Sequence, residues 1–220
     1  MIIGICGLIG SGKDTIADYL QNIHQFRRES FAHTLKDAVA AIFGWDRELL
    51  EGRTRESREW RERVDPWWAE RLGMPNLTPR WVLQYWGTEV CRRGFHDDIW
   101  IASLENKLRT IHDDVVISDC RFPNEIAAIK SAGGRVIRVI RGPEPVWYEF
   151  AVSVNTGRDR SAQRFLGKYN VHASETAWVG TKFDAVVDNN APGLDNLYAQ
   201  VNDLLQDLRA AKANQSFELQ

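Results

Sequence analysis

The N-terminal stretch MIIGICGLIGSGKDTIADYLQNI constrains this chain more than any other. An apolar run, MIIGIC, ends at Gly7; the glycine-rich segment GLIGSGKDT follows at 7–15; then Ile16, Leu20 and Ile23 recur at helical spacing. That order reads as strand, loop, helix. Between a buried strand and a helix, Gly10, Ser11 and Gly12 let backbone N–H groups turn inward around an anion, and the helix N-terminus adds its partial positive charge. Gly7, Gly12 and Lys13 stand at the spacing G-x-x-x-x-G-K, so Gly10, Ser11, Gly12, Lys13, Asp14 and Thr15 form the candidate phosphate-binding set, with Lys13 reaching the outer phosphates as a point charge. The competing reading is a tight glycine turn that only caps a helix.

One position departs from the motif. Asp14 stands where a Ser or Thr hydroxyl ordinarily binds Mg²⁺. A carboxylate there binds the metal itself, binds it through water, or leaves the task to Thr15 and a distant acid. The last two are preferred, because a carboxylate touching a triphosphate repels it unless a metal lies between. Asp119 is the natural distant acid: it ends the apolar run VVIS, and in open parallel sheets ligands collect beyond the carboxyl ends of the strands. The other reading makes it a cap for the helix starting near Pro123. Arg121 either serves an acceptor phosphate or pairs with Asp119.

The stretch DDVVISDCRFPNEIAAIKSAGGRVIRVIRG repeats the plan, with a strand at 115–118, a helix at 123–132, a turn at Gly133 and Gly134, and a strand at 136–140. A unit of this length implies a parallel pair. FDAVVDNN supplies a last short strand and Leu194 to Leu208 a last helix. The expected fold is therefore α/β, a P-loop NTPase-type parallel sheet flanked by helices, in one domain over 1–220 with a helical insertion at 45–77, a lid-like segment at 142–171 and a frayed tail at 214–220. A helix from about Thr34 places Leu35, Val39 and Ile42 on one face, with Gly44 as its stop. Residues 47–63 carry six Arg and five Glu, with Glu51 to Arg55 and Glu59 to Arg63 at i,i+4, and Trp60, Val64 and Trp67 spaced to pack on one side.

A further helix starts at Thr78 and Pro79 and stops at Gly94. At 100° per residue, Val82, Leu83, Trp86 and Val90 share one arc, while Arg80, Gln84, Gly87 and Thr88 share another with Arg92 at its edge. The polar arc suits a base and phosphate pocket, and periodicity alone suits a solvated face equally well. Lys36 either holds an acceptor phosphate or is solvated. Arg158, Arg160 and Arg164 read as a mobile, charge-neutralising lid or as an ordinary charged loop. His172, Ser174 and Glu175 read as a helix cap; no nucleophile elbow accompanies them.

Composition narrows the partners. A formal charge of −2 argues against coating of nucleic acid, while Arg outnumbers Lys 21 to 7, a bias toward the planar fork that grips phosphate. Cys6, Cys91 and Cys120 lack a metal-site spacing and fit free thiols in a reducing compartment. No apolar run approaches the ~20 residues of a membrane span, and no signal-type core follows the N-terminus. A soluble, cytoplasmic protein is expected, without membrane partners; a homodimer is compatible with the exposed aromatics.

Taken together, SGKDT at 11–15, FAHTLKDAV at 31–39, LQYWGTEVCR at 83–92, DCRFPNE at 119–125 followed by GGRVIRVIR, and HASE at 172–175 resemble the phage-type deoxynucleoside monophosphate kinases, a branch of the P-loop nucleoside monophosphate kinase group. The matching segments extend to about residue 190, and their order is more specific than any one of them. The Asp after the lysine is a habit of that family. The resemblance implies transfer of the γ-phosphoryl group of ATP, with Mg²⁺, to a small-molecule deoxynucleoside 5′-monophosphate, in the host cytoplasm if the chain is phage-encoded. It places ATP phosphates on Gly10 to Thr15, the acceptor phosphate on Lys36 and one or more of Arg80, Arg92 and Arg121, and the base near Gln84, Trp86 and Glu89. It gives Lys13, Arg121 and Asp119 the catalytic roles, Asp119 the metal, with Asp14 as a second ligand through water, and Arg158, Arg160 and Arg164 the lid. Rival readings are a P-loop kinase of another acceptor, including hydroxymethyl-pyrimidine nucleotides in DNA, dephospho-coenzyme A or phosphomevalonate, and a nucleotide-binding protein without kinase turnover. Nucleic acid is a partner only under the DNA-level reading.

Lys13→Ala is expected to abolish phosphoryl transfer while leaving the circular dichroism spectrum unchanged; near-normal turnover would overturn the phosphate-loop assignment.

Overall fold

The fold is given by a computed structural model that describes residues 1–217, with side chains as far as Ala211. The expectation of a frayed tail at 214–220 falls partly on residues outside those described. The chain forms two compact units: Met1–Glu29 together with the chain from Asp113 onward, and Ser30–His112. In chain order, the first unit opens with β1 (Ile2–Cys6), α1 (Lys13–His24) and β2 (Arg27–Glu29). The second unit is α2 (His33–Phe43), α3 (Arg47–Glu51), α4 (Arg55–Glu62), α5 (Pro66–Leu72), α6 (Pro79–Tyr85), a π-helical segment (Trp86–Arg93) and α7 (Ile99–Leu108). The first unit then resumes with β3 (Val115–Ile117), α8 (Pro123–Ser131), β4 (Arg135–Ile140), α9 (Tyr148–Asn155), α10 (Ala162–Leu166), a 3₁₀ turn (Gly167–Tyr169), α11 (Ala173–Thr176), β5 (Ala185–Asp188) and α12 (Asp195–Phe217).

The five strands make one parallel sheet in the order β2-β3-β1-β4-β5. β1 lies at its centre, with Ile3 opposite Val116 on one side and Arg135 on the other. A central parallel strand is covered on both faces, which is why IIGIC and VVI read as apolar runs instead of alternating. Ile16, Ala17 and Leu20 of α1 and Leu197, Val201 and Leu205 of α12, each set at helical spacing, close over Ile3, Ile5, Val116, Ile137 and Val139. Each of the Ile, Leu and Val side chains among them contributes about 1.5–3 kcal/mol by leaving water. Tyr19 stacks on Tyr198 with ring centroids 3.9 Å apart, which ties the two helices together. Ile23, expected on the buried face of α1, is exposed in its last turn.

β2 was not expected. Its sequence, RRE, carries no apolar pattern, and it exists because the ladder to β3, beginning with Arg27 N–H donating to the Asp114 carbonyl at 2.8 Å, satisfies its backbone. Edge position and brevity suit a charged strand.

The second unit corrects several expectations. The charged stretch 47–63 is two helices, because Gly52 ends α3 in the left-handed conformation and Thr54 caps α4 anew. Glu51 therefore pairs with Lys36 and Arg47 instead of Arg55, whose partner is Glu59 at 2.7 Å. The run breaks again at Arg63, and Asp65 with Pro66 starts α5, so the spacing of Trp60, Val64 and Trp67 is not that of one helix. Val64 and Trp67 are accordingly exposed, Trp67 to 61 %. On α2 the buried residues are Leu35, Val39 and Phe43, and Ile42 faces solvent. Much of the tryptophan content is core: Trp45 stacks on Phe43 at 4.4 Å, Trp68 and Trp86 lie against the same ring, and the Trp45 and Trp68 indoles donate to Asp65 and the Phe43 carbonyl.

No helix among the described residues is long and apolar enough to cross a membrane. The three cysteines are free thiols, Cys6 and Cys120 buried.

Glu51 tests the packing of α3 on α2. Burial alone would raise its pKa, but Lys36 at 2.7 Å and then Arg47 outweigh that and hold it at about 2, against 4.5 for an ordinary glutamate. A depressed native pKa means stability present above pH 4.5 and lost as the pH falls through 2. Glu51→Gln is expected to lower the unfolding free energy at pH 7 by about 1–2 kcal/mol, solvent screening of this half-buried group reducing the full effect, and the gap from wild type should close between pH 4.5 and 2 in urea titrations.

Candidate active site

The loop from Gly7 to Gly12 follows β1 at its carboxyl end and delivers the chain into α1. At Gly7 a Cβ would lie 2.5 Å from the Val139 carbonyl oxygen, and at Gly12, where φ is +104°, it would lie 2.5 Å from Asn189 Nδ2. Only glycine fits this backbone. Ser11 is buried, and its N–H closes a turn onto the Leu8 carbonyl at 3.2 Å. Lys13 Nζ crosses the loop to the carbonyls of Gly7 and Leu8 at 2.8 and 2.7 Å. Burial, and then the nearby Arg121 guanidinium, hold the Lys13 pKa below the ordinary lysine value. The ammonium is thus kept in a dehydrated position at the mouth of the loop, where a phosphate is its natural counter-charge.

Around this loop stand the other expected groups of the first unit. Asp119 is half-buried just past the carboxyl end of β3. In the turn that follows, Glu125 is buried and accepts from the N–H groups of Arg121 and Phe122 at 2.8 and 3.1 Å, which aligns the start of α8. Arg121 Nη1 lies 3.4 Å from Ser174 Oγ and 3.6 Å from Glu175 Oε1. His172 caps α11 as expected, accepting from Ser174 N–H. The contact of Ser174 and Glu175 with Arg121 was not foreseen, because it joins segments more than fifty residues apart. Thr15 is half-buried and Asp14 exposed. Arg158, Arg160 and Arg164 are exposed, and the last two line a depression of about 510 Å³ with Phe165.

Asn189, Asn190 and Arg28 were not among the expected site residues. Asn189, at the end of β5, is buried and donates from Nδ2 to the Ser11 carbonyl at 2.8 Å. It also borders a cavity of about 520 Å³ lined by Thr15, Arg141, Gly142, Pro192 and Leu194. The cavity's rim is pinned by Gly142 N–H donating to Asn190 Oδ1 at 2.7 Å and by Asn190 N–H and Nδ2 donating to Asp188. The rule that strand carboxyl ends line the site, applied to VDNN, would have found it. The third, Arg28 on β2, bonds Asp14 and Ser118; an unpredicted strand concealed it.

Apart from Arg121, the acceptor-side candidates belong to the second unit. Lys36 is paired with Glu51 at 2.7 Å, Arg80 with Glu62 at 3.1 Å, and Glu89 with Arg93 at 2.7 Å. Gln84 is exposed and Trp86 packs edge-on against Phe43 at 5.7 Å. The helical projection fails beyond Tyr85, where i→i+5 bonds such as Gly94 N–H to the Glu89 carbonyl widen the turn and advance each residue by less than 100°. Hence Val90, placed on the apolar arc, is exposed, while Arg92 is buried with its guanidinium 3.4 Å from the Asp97 carbonyl. Gly87 is buried against Leu35, where a Cβ would meet the leucine methyl at 2.8 Å.

A glycine loop between a central parallel strand and a helix, with a lysine at its mouth, defines a P-loop nucleotide-binding protein. The relatives narrow the class. A deoxynucleotide monophosphate kinase assigned in Acanthamoeba polyphaga mimivirus is 36% identical over 155 residues, covering 64% of this chain and 74% of that protein. The deoxynucleoside-5′-monophosphate kinase of Escherichia phage T5 is 30% identical over 174 residues, covering 57% of this chain and 70% of that protein. The chain belongs to the deoxynucleoside monophosphate kinase family. No protein-family model matches it. Among solved structures, shikimate kinase from Aquifex aeolicus aligns over 94% of this chain and 98% of its own at 12% identity and a TM-score of 0.42, and the protein TT1252 from Thermus thermophilus over 94% and 97% at 19% and 0.42. At those scores neither adds to the reading.

Gly12→Ala is expected to weaken nucleotide binding at least about tenfold in calorimetry, because the new methyl group forces Asn189 off the Ser11 carbonyl.

Proposed function

We propose that this enzyme transfers the γ-phosphoryl group of ATP to a deoxynucleoside 5′-monophosphate, giving ADP and the diphosphate. The observation that carries this reading is the continuity, within one unit, of the phosphate loop and the 520 Å³ cavity beside Thr15, joined by Asn189. A cavity of that size accommodates the nucleoside end of the donor while its phosphates lie along Gly10 to Thr15. The viral relatives favour a reaction in the host-cell cytoplasm.

In this reading Lys13 leaves the carbonyls of Gly7 and Leu8 for the outer phosphates, and Arg121, steered by Glu175, neutralises charge on the transferring group. Thr15 and Asp119 offer the hard oxygen donors that suit Mg²⁺, which when bound would neutralise phosphate oxygens; Asp14, already bonded to Arg28 and Ser118, is the lesser candidate. The acceptor phosphate is assigned to Lys36 and one or more of Arg80, Arg92 and Arg121, and its base to the neighbourhood of Gln84, Trp86 and Glu89. An acceptor phosphate oxygen attacks the γ-phosphorus in line, without a covalent intermediate. The acceptor phosphate is already ionised at neutral pH, so no strong general base is needed. Arg158, Arg160 and Arg164 are assigned to closure over the phosphates, which excludes water and suppresses ATP hydrolysis.

A coupled ADP-release assay with Mg-ATP against ribo- and deoxynucleoside monophosphates and against single-stranded DNA containing hydroxymethyluracil tests the proposal. Turnover is expected with free deoxynucleotides and little ADP release without an acceptor. Phosphate incorporation into DNA alone would move the acceptor to the polymer, and silence throughout would reject kinase activity.

A further inference from the structure

Asp14 is the residue by which the loop departs from its motif, and the structure surrounds it with a specific set of partners. Arg28, at the second position of β2, donates from Nη2 to Asp14 Oδ1. Its Nη1 reaches Asp18, one turn further along α1, at 2.5 Å, and Nη2 also lies 3.0 Å from Ser118 Oγ. Ser118 Oγ in turn stands 3.3 Å from Asp14 Oδ1. The Arg28 side chain is only 11 % exposed, whereas those of Asp14 and Asp18 are 78 % and 57 % exposed. A guanidinium planted in the sheet edge thus extends its fork to two carboxylates on the exposed side of the phosphate-loop helix.

The arrangement has an electrostatic consequence. A carboxylate beside the helix N-terminus is stabilised by the helix dipole, but it competes there with the anion that the same N–H groups attract. An arginine cannot lose its charge, and its planar fork holds a carboxylate in one direction. We propose that Arg28 is a positioning residue that neutralises Asp14 and holds its carboxylate to the side of the loop, so that an acidic residue at this position is compatible with binding a polyphosphate. Ser118 supports the same carboxylate from the end of β3. This inference rests on the ATP reading given above, and it gives the central arginine of the short edge strand RRE a role besides pairing with β3.

The test is MgATP affinity, measured calorimetrically for wild type, R28M, D14N and the double variant. R28M is expected to weaken binding about tenfold when Asp14 is present and by less than about threefold in the D14N background, because the charge to be neutralised is then gone. The loss in R28M should also shrink as salt is raised, as befits exposed charges. R28K, which keeps the charge but not the fork should R28M fold poorly, is expected to fall between R28M and wild type. Equal losses in both backgrounds, independent of salt, would overturn the inference and make Arg28 a structural tie between β2 and α1. Failure of the wild type itself to bind MgATP would instead reject the ATP reading.

Discussion

The first unit depends on a constraint at the centre of its sheet: β1 is buried on both faces and must end where the chain turns at Gly7. Because its neighbours β3 and β4 are parallel to it, their carboxyl ends terminate on the same side, and their following loops bring Asp119 and Arg141 to that edge. A Cβ at Gly7 would meet the Val139 backbone, so the loop can pass only if the residue has none. Core packing and phosphate-loop geometry are therefore one problem, solved by the same residues.

Charge organises the rest. Lys13 is held dehydrated between two carbonyls and beside Arg121, an arrangement whose cost a bound phosphate would offset. Asn189 ties the loop to the β5 end and borders the 520 Å³ cavity, so loop and cavity share one hydrogen-bonded framework. In the second unit the same economy appears differently. Lys36, Arg80 and Glu89 each have an ion-pair partner, and the half-buried triad of Lys36, Glu51 and Arg47 ties α3 to α2. The buried Arg92 and the π-helical turn that carries it distinguish this stretch from an ordinary surface helix.

Several local misreadings share a cause. The insertion looked like one helix because charge spacing continued across Gly52 and Arg63, yet a left-handed glycine and an Asp-Pro start each reset the helical phase. Val90 and Arg92 exchanged faces because a projection at fixed angle does not survive a change from i→i+4 to i→i+5 bonding. β2 was invisible because its backbone is stabilised by β3 and not by any apolar pattern of its own. In each case a hydrogen-bond choice made by the backbone overrode a periodicity read from side chains.

What the sequence by itself determined was whatever depends on neighbours within a few residues: the strand, glycine loop and helix of 2–24, the unit from β3 through β4, the caps at Thr78 and His172, and the order of motifs that identifies the family. Those features follow from backbone freedom and local periodicity. Only the tertiary structure decided that Arg28 reaches Asp14 and Ser118, that Arg121 meets Glu175, and that Asn189 braces Ser11. Such pairs are separated by between 14 and 178 residues along the chain, and which of them meet is set by strand order, a property of the whole sheet that no single segment encodes.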